Sequence, residues 1–213
     1  MLLNIENLSY KNLFQNVSFK IDKWIIGITW PSGSWKTTFL KIVWWFIKPD
    51  NWEVKIIKNK KIYNIKQWKT FPQSDIIISF HFQDYLLLDL DVKTNIELPF
   101  ILNNYPKDEN WVNYLIDYFE VKKIYNKKIE NLSWWEKERI SIIRCFASKP
   151  NIALIDEAGA SLDTRLKNKL YKFIGNYSKD NIIFAISHDN KFRENFNLEK
   201  NLFKQNFQIY TSL

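Results

Sequence analysis

Residues 25–37 read Ile-Ile-Gly-Ile-Thr-Trp-Pro-Ser-Gly-Ser-Trp-Lys-Thr. The apolar run Ile25, Ile26, Ile28 predicts a buried strand, the Pro/Ser/Gly stretch a loop, and residues 37–47 a helix that starts where the loop ends. Strand, loop and helix in that order, closing on Lys36-Thr37, have the layout of a phosphate-binding loop, G-x-x-x-x-G-K-[ST]. Its two outer glycine positions are held by Trp30 and Trp35. Glycine matters there because successive backbone N–H groups curl around a phosphate beside the positive end of the helix, which requires close approach and positive φ. A residue with a side chain costs roughly 1–2 kcal/mol in the left-handed region. The Trp35 indole would also project against the phosphate seat.

Composition bears on this conflict. Average usage of about 7% glycine would give a chain of this length about 15 glycines. This chain has 4 Gly and 10 Trp among 213 residues. Several tryptophans stand where the backbone asks for glycine: Trp24 in the turn 22–24, Trp52 in the turn 49–52, and Trp44 and Trp45 after a helical segment. The pattern fits UGA codons that the source organism reads as glycine and that are written here as tryptophan. Abundant Lys, Asn, Ile, Phe and Tyr fit an A+T-rich gene. The alternative is that the tryptophans are real and the loop is dead. For Trp68 and Trp111 the sequence context favours neither.

A length of 213 residues suits one domain with a sizeable core, and 46% hydrophobic with 25% charged residues is an ordinary globular balance. No apolar stretch approaches ~18 residues, and the N-terminus lacks a basic segment followed by an apolar one. The single Cys145 leaves no internal disulfide and no cysteine metal cluster, so a reducing cytoplasm is expected. The net charge of +8 is scattered, densest at Lys58-Asn-Lys60-Lys61, a hairpin tip by its context. No specific nucleic acid is expected from it; attraction to an anionic membrane surface fits better.

Residues 2–8 and 14–21 alternate as antiparallel strands around a turn at Tyr10, and residues 53–57 with 61–63 read as a hairpin. A buried strand is expected over 75–80, ending at Gln83, then mostly helix over 92–148, broken by Pro99 and Pro106. Buried strands at 152–156 and 181–187 flank a helix near 164–175, and antiparallel additions are expected at 201–211. Strands alternating with helices predict an α/β fold with a mainly parallel sheet.

Two further stretches carry chemistry. Ile152-Ala-Leu-Ile-Asp156-Glu157 puts two carboxylates where a buried strand emerges. Such an aspartate suits Mg²⁺ and such a glutamate suits polarising a water, although a solvated strand end would look the same. Leu132-Ser133-Trp134-Trp135-Glu136 opens a helix, with Ser133 as N-cap and Glu136 at the capping-box position.

With both tryptophans read as glycine, the second stretch becomes Leu-Ser-Gly-Gly-Glu and resembles the signature motif of ABC-type ATPases. Lys36, Gln83, Asp156-Glu157 and His188 follow in that family's order and approximate spacing, so the resemblance spans essentially the whole chain. It implies an α/β fold with a P-loop NTPase core, a mainly parallel sheet, an N-terminal antiparallel β subdomain and an α-helical subdomain. The single domain would cover 1–213, with the core at about 1–83 and 150–213 and the helical subdomain at about 84–149.

The resemblance also implies roles. Tyr10 would stack on adenine. The phosphate loop would comprise Trp30, Ser32, Gly33, Ser34, Trp35, Lys36, Thr37 and Thr38, with Lys36 on the β- and γ-phosphates. Thr37, Gln83 and Asp156 would attend Mg²⁺, and Gln83 would link the site to a membrane partner. Glu157 would be the catalytic base and His188 would contact the γ-phosphate. Ser133, Trp134 and Trp135, with Asp163 in the loop Ser161-Leu162-Asp163, would face the partner subunit's nucleotide. His81 has no such match and reads as a strand residue. Ala158 departs from the proline common after the Asp-Glu pair, and the motif tryptophans depart more seriously.

The expected function is that of an ATP-hydrolysing subunit of an ABC transporter, working with Mg²⁺ as a head-to-tail dimer on separate membrane subunits, at the inner face of the cell membrane. Residues 82–88 and 91–100 are similar to the lipoprotein-releasing and macrolide-export branch. A silent interaction subunit and a soluble non-transport ABC ATPase are the rivals.

Overall fold

The computed structural model describes the chain except residues 13, 22–24, 30–40, 43–46, 59, 66–75, 83, 85, 188, 197, 204–206 and 213. Packing divides it into two compact units, Met1–Ile76 with Ser178–Leu213, and Ile77–Tyr177.

In the first unit, β1 (Leu2–Tyr10) and β2 (Phe14–Ile21) form an antiparallel hairpin. On the other side of β1 lies β4 (Asn51–Lys58), which turns into β5 (Lys61–Ile65), giving the sheet order β2-β1-β4-β5. Alternation puts Leu3, Ile5, Val54 and Ile56 on one buried face. A register shift between Ile5 and Leu8 keeps Leu8 buried too, with Asn7 at φ 55, a left-handed value that asparagine tolerates. β3 (Ile25–Thr29) runs parallel to β8 (Ile182–Ile186), every residue of which is buried. β10 (Phe207–Ser212) adds antiparallel to β3, and β9 (Leu198–Phe203) to β10. The expected parallel core and antiparallel tail are both present. Of the helix expected after the phosphate loop, residues 41–42 are helical and the rest lies largely outside the described residues. A short α5 (Asn190–Asn195) follows β8.

The second unit pairs β6 (Ile78–His81) in parallel with β7 (Ile152–Asp156). Between them run α1 (Val92–Asn103), α2 (Glu109–Tyr118) and α3 (Trp134–Ala147), and after β7 comes α4 (Thr164–Tyr177). Asp91 and Asp108 cap α1 and α2 by accepting the N–H groups of Thr94 and Trp111. α4 buries Leu166, Leu170, Phe173 and Ile174, one helical stripe. No described helix is long and apolar enough to cross a membrane.

Tyr10 and Trp52, expected in turns, lie in β1 and β4, and two further boundaries differ from the sequence expectation for reasons the bonding shows. α1 runs through Pro99 and ends at Asn104, whose φ of 55 is a left-handed cap, two residues before Pro106. The turn chemistry of Asn104, rather than the proline inside, stops the helix. β6 starts at Ile78 because Ile77 is bonded otherwise: its N–H donates to the Asn151 side chain, and its C=O accepts from Asn151 and Ile152.

Aromatic rings fill the space between α2, α3 and α4. Phe173 meets Phe146 and Phe119 edge-on at centroid distances of 4.9 and 5.4 Å, and Trp111 packs beside Phe173 and Tyr177. Polar tips are satisfied at backbone carbonyls: Trp111 Nε1 donates to Phe146, Tyr118 Oη to Lys169 and Tyr177 Oη to Pro150.

His81 ends β6 fully buried, its Nδ1 2.9 Å from Ser141 Oγ, a strand residue as expected. Burial, reinforced by the Arg144 charge, lowers its pKa from 6.5 to about 3. The unfolded chain therefore binds one more proton across that window, and this contribution to stability, complete at neutral pH, falls as pH drops below 6.5 towards 3. His81→Gln should flatten that part of the slope in urea unfolding measured at pH 7 and pH 5. An unchanged slope would remove His81 as its source.

Candidate active site

All five residues of β7 are buried, and Asp156 is only 4% exposed where the strand ends. The next residue, Glu157, has φ 53, so the chain turns sharply and leaves the two neighbouring carboxylates in different settings, one buried and one half-buried. The turn closes on itself through Ala160 N–H to Glu157 O and Leu162 N–H to Gly159 O. Gly159 has φ 92, and a Cβ there would lie 3.1 Å from a Leu170 methyl, so this position requires glycine. Asp163 ends the turn as the cap of α4, its Oδ1 accepting from Leu166 N–H at 2.8 Å.

The N-terminus of α3 carries Ser133 as N-cap, as the sequence predicts. Glu136 reaches back to accept both the Ser133 N–H (2.9 Å) and its hydroxyl proton (2.6 Å). The hydroxyl bond is the main cause that holds the Glu136 carboxyl below its usual range. Trp134 and Trp135 occupy the first two helical positions, 69% and 55% exposed, with Lys137 Nζ 5.6 Å from the Trp134 ring. Most of both indoles faces solvent, whereas the Trp111 indole packs among aromatic rings with its N–H bonded to a carbonyl.

α3 is tied to the Asp156–Asp163 turn by Glu138, which accepts the N–H groups of Gly159 (2.5 Å) and Ser161 (2.8 Å). One residue on, Arg139 donates to the carbonyls of Phe119 and Glu120. The Glu120 carboxylate is clamped by Arg165 and Lys169, whose hydrogen bonds pull its pKa down to about 2. No motif in the sequence marks Glu138. A charged residue on the inner face of an amphipathic helix was the available signal.

Ahead of α1, Leu86, Leu88 and Leu90 stand 59%, 44% and 43% exposed. Hydrogen bonding orders this stretch. Buried Asn95 accepts Leu88 N–H and donates to the carbonyls of Leu88 and Asp91, and Arg144 donates to Leu86 O.

Among the expected site residues, Ser133, Trp134, Trp135, Asp156, Glu157 and Asp163 therefore fall in one unit, around α3 and the turn after β7. Tyr10 lies in the other unit at the end of β1, with Lys11 Nζ 5.3 Å from its ring; β1 is an interior strand, not an edge. Trp30, Ser32, Gly33, Ser34, Trp35, Lys36, Thr37, Thr38, Gln83 and His188 lie outside the described residues. No group of three or more His, Cys, Asp or Glu among the described residues could hold a metal. A lone carboxylate such as Asp156 suits Mg²⁺, which is bound through one or two carboxylates together with substrate phosphates. Cys145 is buried beside Ser79, and burial pushes its thiol up to about 12, so it is inert.

The family described as ABC transporter matches residues 14–160. The lipoprotein-releasing system ATP-binding protein LolD of Neorickettsia sennetsu is 27% identical over 172 residues, covering 79% of this chain and 75% of its own. The zinc import ATP-binding protein ZnuC of Wigglesworthia glossinidia brevipalpis is 29% identical over 178 residues, covering 81% of this chain and 69% of its own. The dimeric ATP-binding cassette MJ0796, solved in a post-hydrolysis state bound to ADP and Pi, matches with a TM-score of 0.75 at 22% identity, over 91% of this chain and 90% of that one.

Proposed function

The chain belongs to the ABC transporter family as an ATP-binding ATPase subunit, and on that premise we propose that it drives separate membrane subunits through ATP-dependent closure of a head-to-tail dimer. The observation that carries the proposal is the turn after β7: buried Asp156, Glu157 at positive φ and Asp163 fixed as a helix cap, all joined to the helix that begins at Ser133.

In this reading Lys36 binds the β- and γ-phosphates, and backbone N–H groups of positions 30, 32–35, 37 and 38 cradle them. That role needs glycine at 30 and 35 in the protein as the cell makes it, which the codon reading supplies. Tyr10 stacks on the adenine. Thr37, Asp156 and Gln83 would hold Mg²⁺; these oxygen donors fit that cation, which with ATP supplies an activated phosphoryl group. Glu157 orients the attacking water and accepts its proton, and His188 holds the γ-phosphate. Ser133, positions 134 and 135, and Asp163 meet the nucleotide of the partner subunit. Positioning and charge neutralisation supply most of the catalysis. Residues 84–149 serve as the helical subdomain, and the remainder as the core.

The membrane partner is proposed to dock on Leu86, Leu88 and Leu90, exposed yet held in a bonded stretch directly after Gln83. The chain would then sit in the cytoplasm, peripheral on the inner face of the membrane. Relatives named for lipoprotein release and for zinc import have similar identity to it, so the cargo is assigned to the partner. Pull-down of the tagged chain from detergent-solubilised native membranes should bring an integral membrane protein with it. A triple Leu→Asp change at 86, 88 and 90 should lose that protein while circular dichroism stays unchanged. Undiminished recovery would refute this docking surface.

Trp30 and Trp35, taken literally, support a second reading, a cassette-like subunit that binds no nucleotide and acts through its surfaces. Glycine at those two positions in the native protein would eliminate it.

A further inference from the structure

We propose that Glu138 is a positioning residue for ATP hydrolysis, tying the turn that carries Glu157 and Asp163 to the helix that carries Ser133. The inference rests on the ATPase reading above. Glu138 is 1% exposed, and burying a carboxylate is unfavourable unless its oxygens are well bonded. Both are: Oε1 accepts Gly159 N–H at 2.5 Å and Oε2 accepts Ser161 N–H at 2.8 Å.

These partners are backbone groups inside the turn. The turn contains two residues at positive φ, Glu157 at 53 and Gly159 at 92. Without the carboxylate both N–H groups lose this acceptor, the one on buried Gly159 away from water, and the turn would relax towards alternatives that satisfy them. Glu138 lies five residues beyond Ser133 on the same helix, and Glu157 two residues before Gly159. A shift of the α3 N-terminus, which meets the partner's nucleotide in the proposed dimer, is thereby transmitted to Glu157, which serves this chain's own nucleotide. The chemistry is specific to a carboxylate. In the same pose glutamine keeps its acceptor oxygen on one amide and turns its NH₂ group towards the other, so one of the two bonds is lost.

The test uses the full chain with glycine at 30, 35, 134 and 135, its parent activity measured alongside E138Q and E138A. Displacing a reacting group by about 1 Å costs about 100-fold, so E138A is expected to lower kcat about 10- to 100-fold with KM for ATP within about twofold, and E138Q to fall between. In NMR spectra of the folded variants, the Gly159 and Ser161 amide resonances should both move in E138A and one should move more than the other in E138Q. If E138A does not fold, E138Q carries the same comparison, because it keeps one bond. Unchanged kcat in the folded variant, or a fall in apparent kcat no larger than its measured unfolded fraction accounts for, overturns the inference alone. A parent that turns over no ATP overturns the ATPase reading and the inference with it.

Discussion

Glu157→Gln, in a chain with glycine at 30, 35, 134 and 135, is expected to keep the parent's ATP affinity and to lose about 10²- to 10⁴-fold in kcat, the usual worth of a positioned general base. The substitution keeps the shape of the side chain, and Gly159, Leu162 and the Glu138 carboxylate hold the turn around it. The site should therefore assemble and stall. ATP-bound dimer should accumulate, visible by light scattering as a doubling of mass that ADP reverses. Steady-state hydrolysis at the parent rate would remove Glu157 from the base role, and hydrolysis lost together with binding would mean that the turn had collapsed.

The second large effect concerns the phosphate loop. If a phosphate loop requires left-handed φ at positions 30 and 35, two residues with side chains at about 1–2 kcal/mol each would weaken binding about 30- to 700-fold when converted at 1.4 kcal/mol per tenfold. An indole at 35 would add an obstruction of its own. Replacing Trp30 and Trp35 by glycine is thus expected to raise ATP affinity by at least that factor in calorimetric titration, and replacing Trp134 and Trp135 to act on dimer closure and kcat instead. Equal affinity with tryptophan or glycine at 30 and 35 would contradict the phosphate-loop assignment.

Much of the architecture was legible because short apolar runs between turn residues leave little choice. The apolar runs at 25–29, 152–156 and 181–187 read as strands and are strands over 25–29, 152–156 and 182–186, and the alternation in 2–8 and 14–21 reads as the antiparallel pair that is present. The boundaries that resisted were set by bonds to distant residues. Ile77 is taken out of β6 by Asn151, and α1 continues past Pro99 until Asn104 adopts a left-handed cap. The site was legible as motifs, Ser133 with Glu136 and Asp156 with Glu157, since those rest on local order along the chain. What joins the motifs was not. Glu138 and Asn95 act on backbone groups 21 and 7 residues away respectively; a polar residue on an inner helix face marks such a group in the sequence, but its partner is not written there. The tryptophans divide the same way: Trp111 was undecided in sequence, whereas its bonded, packed indole contrasts with the solvent-facing pair at 134 and 135.

Tandem mass spectrometry of the chain purified from the organism that makes it tests the central claim, that this is a working ATPase whose motif positions hold glycine. Peptides covering residues 24–36 and 129–137 should show glycine at 24, 30, 35, 134 and 135, while the peptide covering 111 shows tryptophan. Tryptophan at 30 and 35 in the native protein would contradict the claim, leaving an ABC-type fold whose phosphate loop cannot seat ATP.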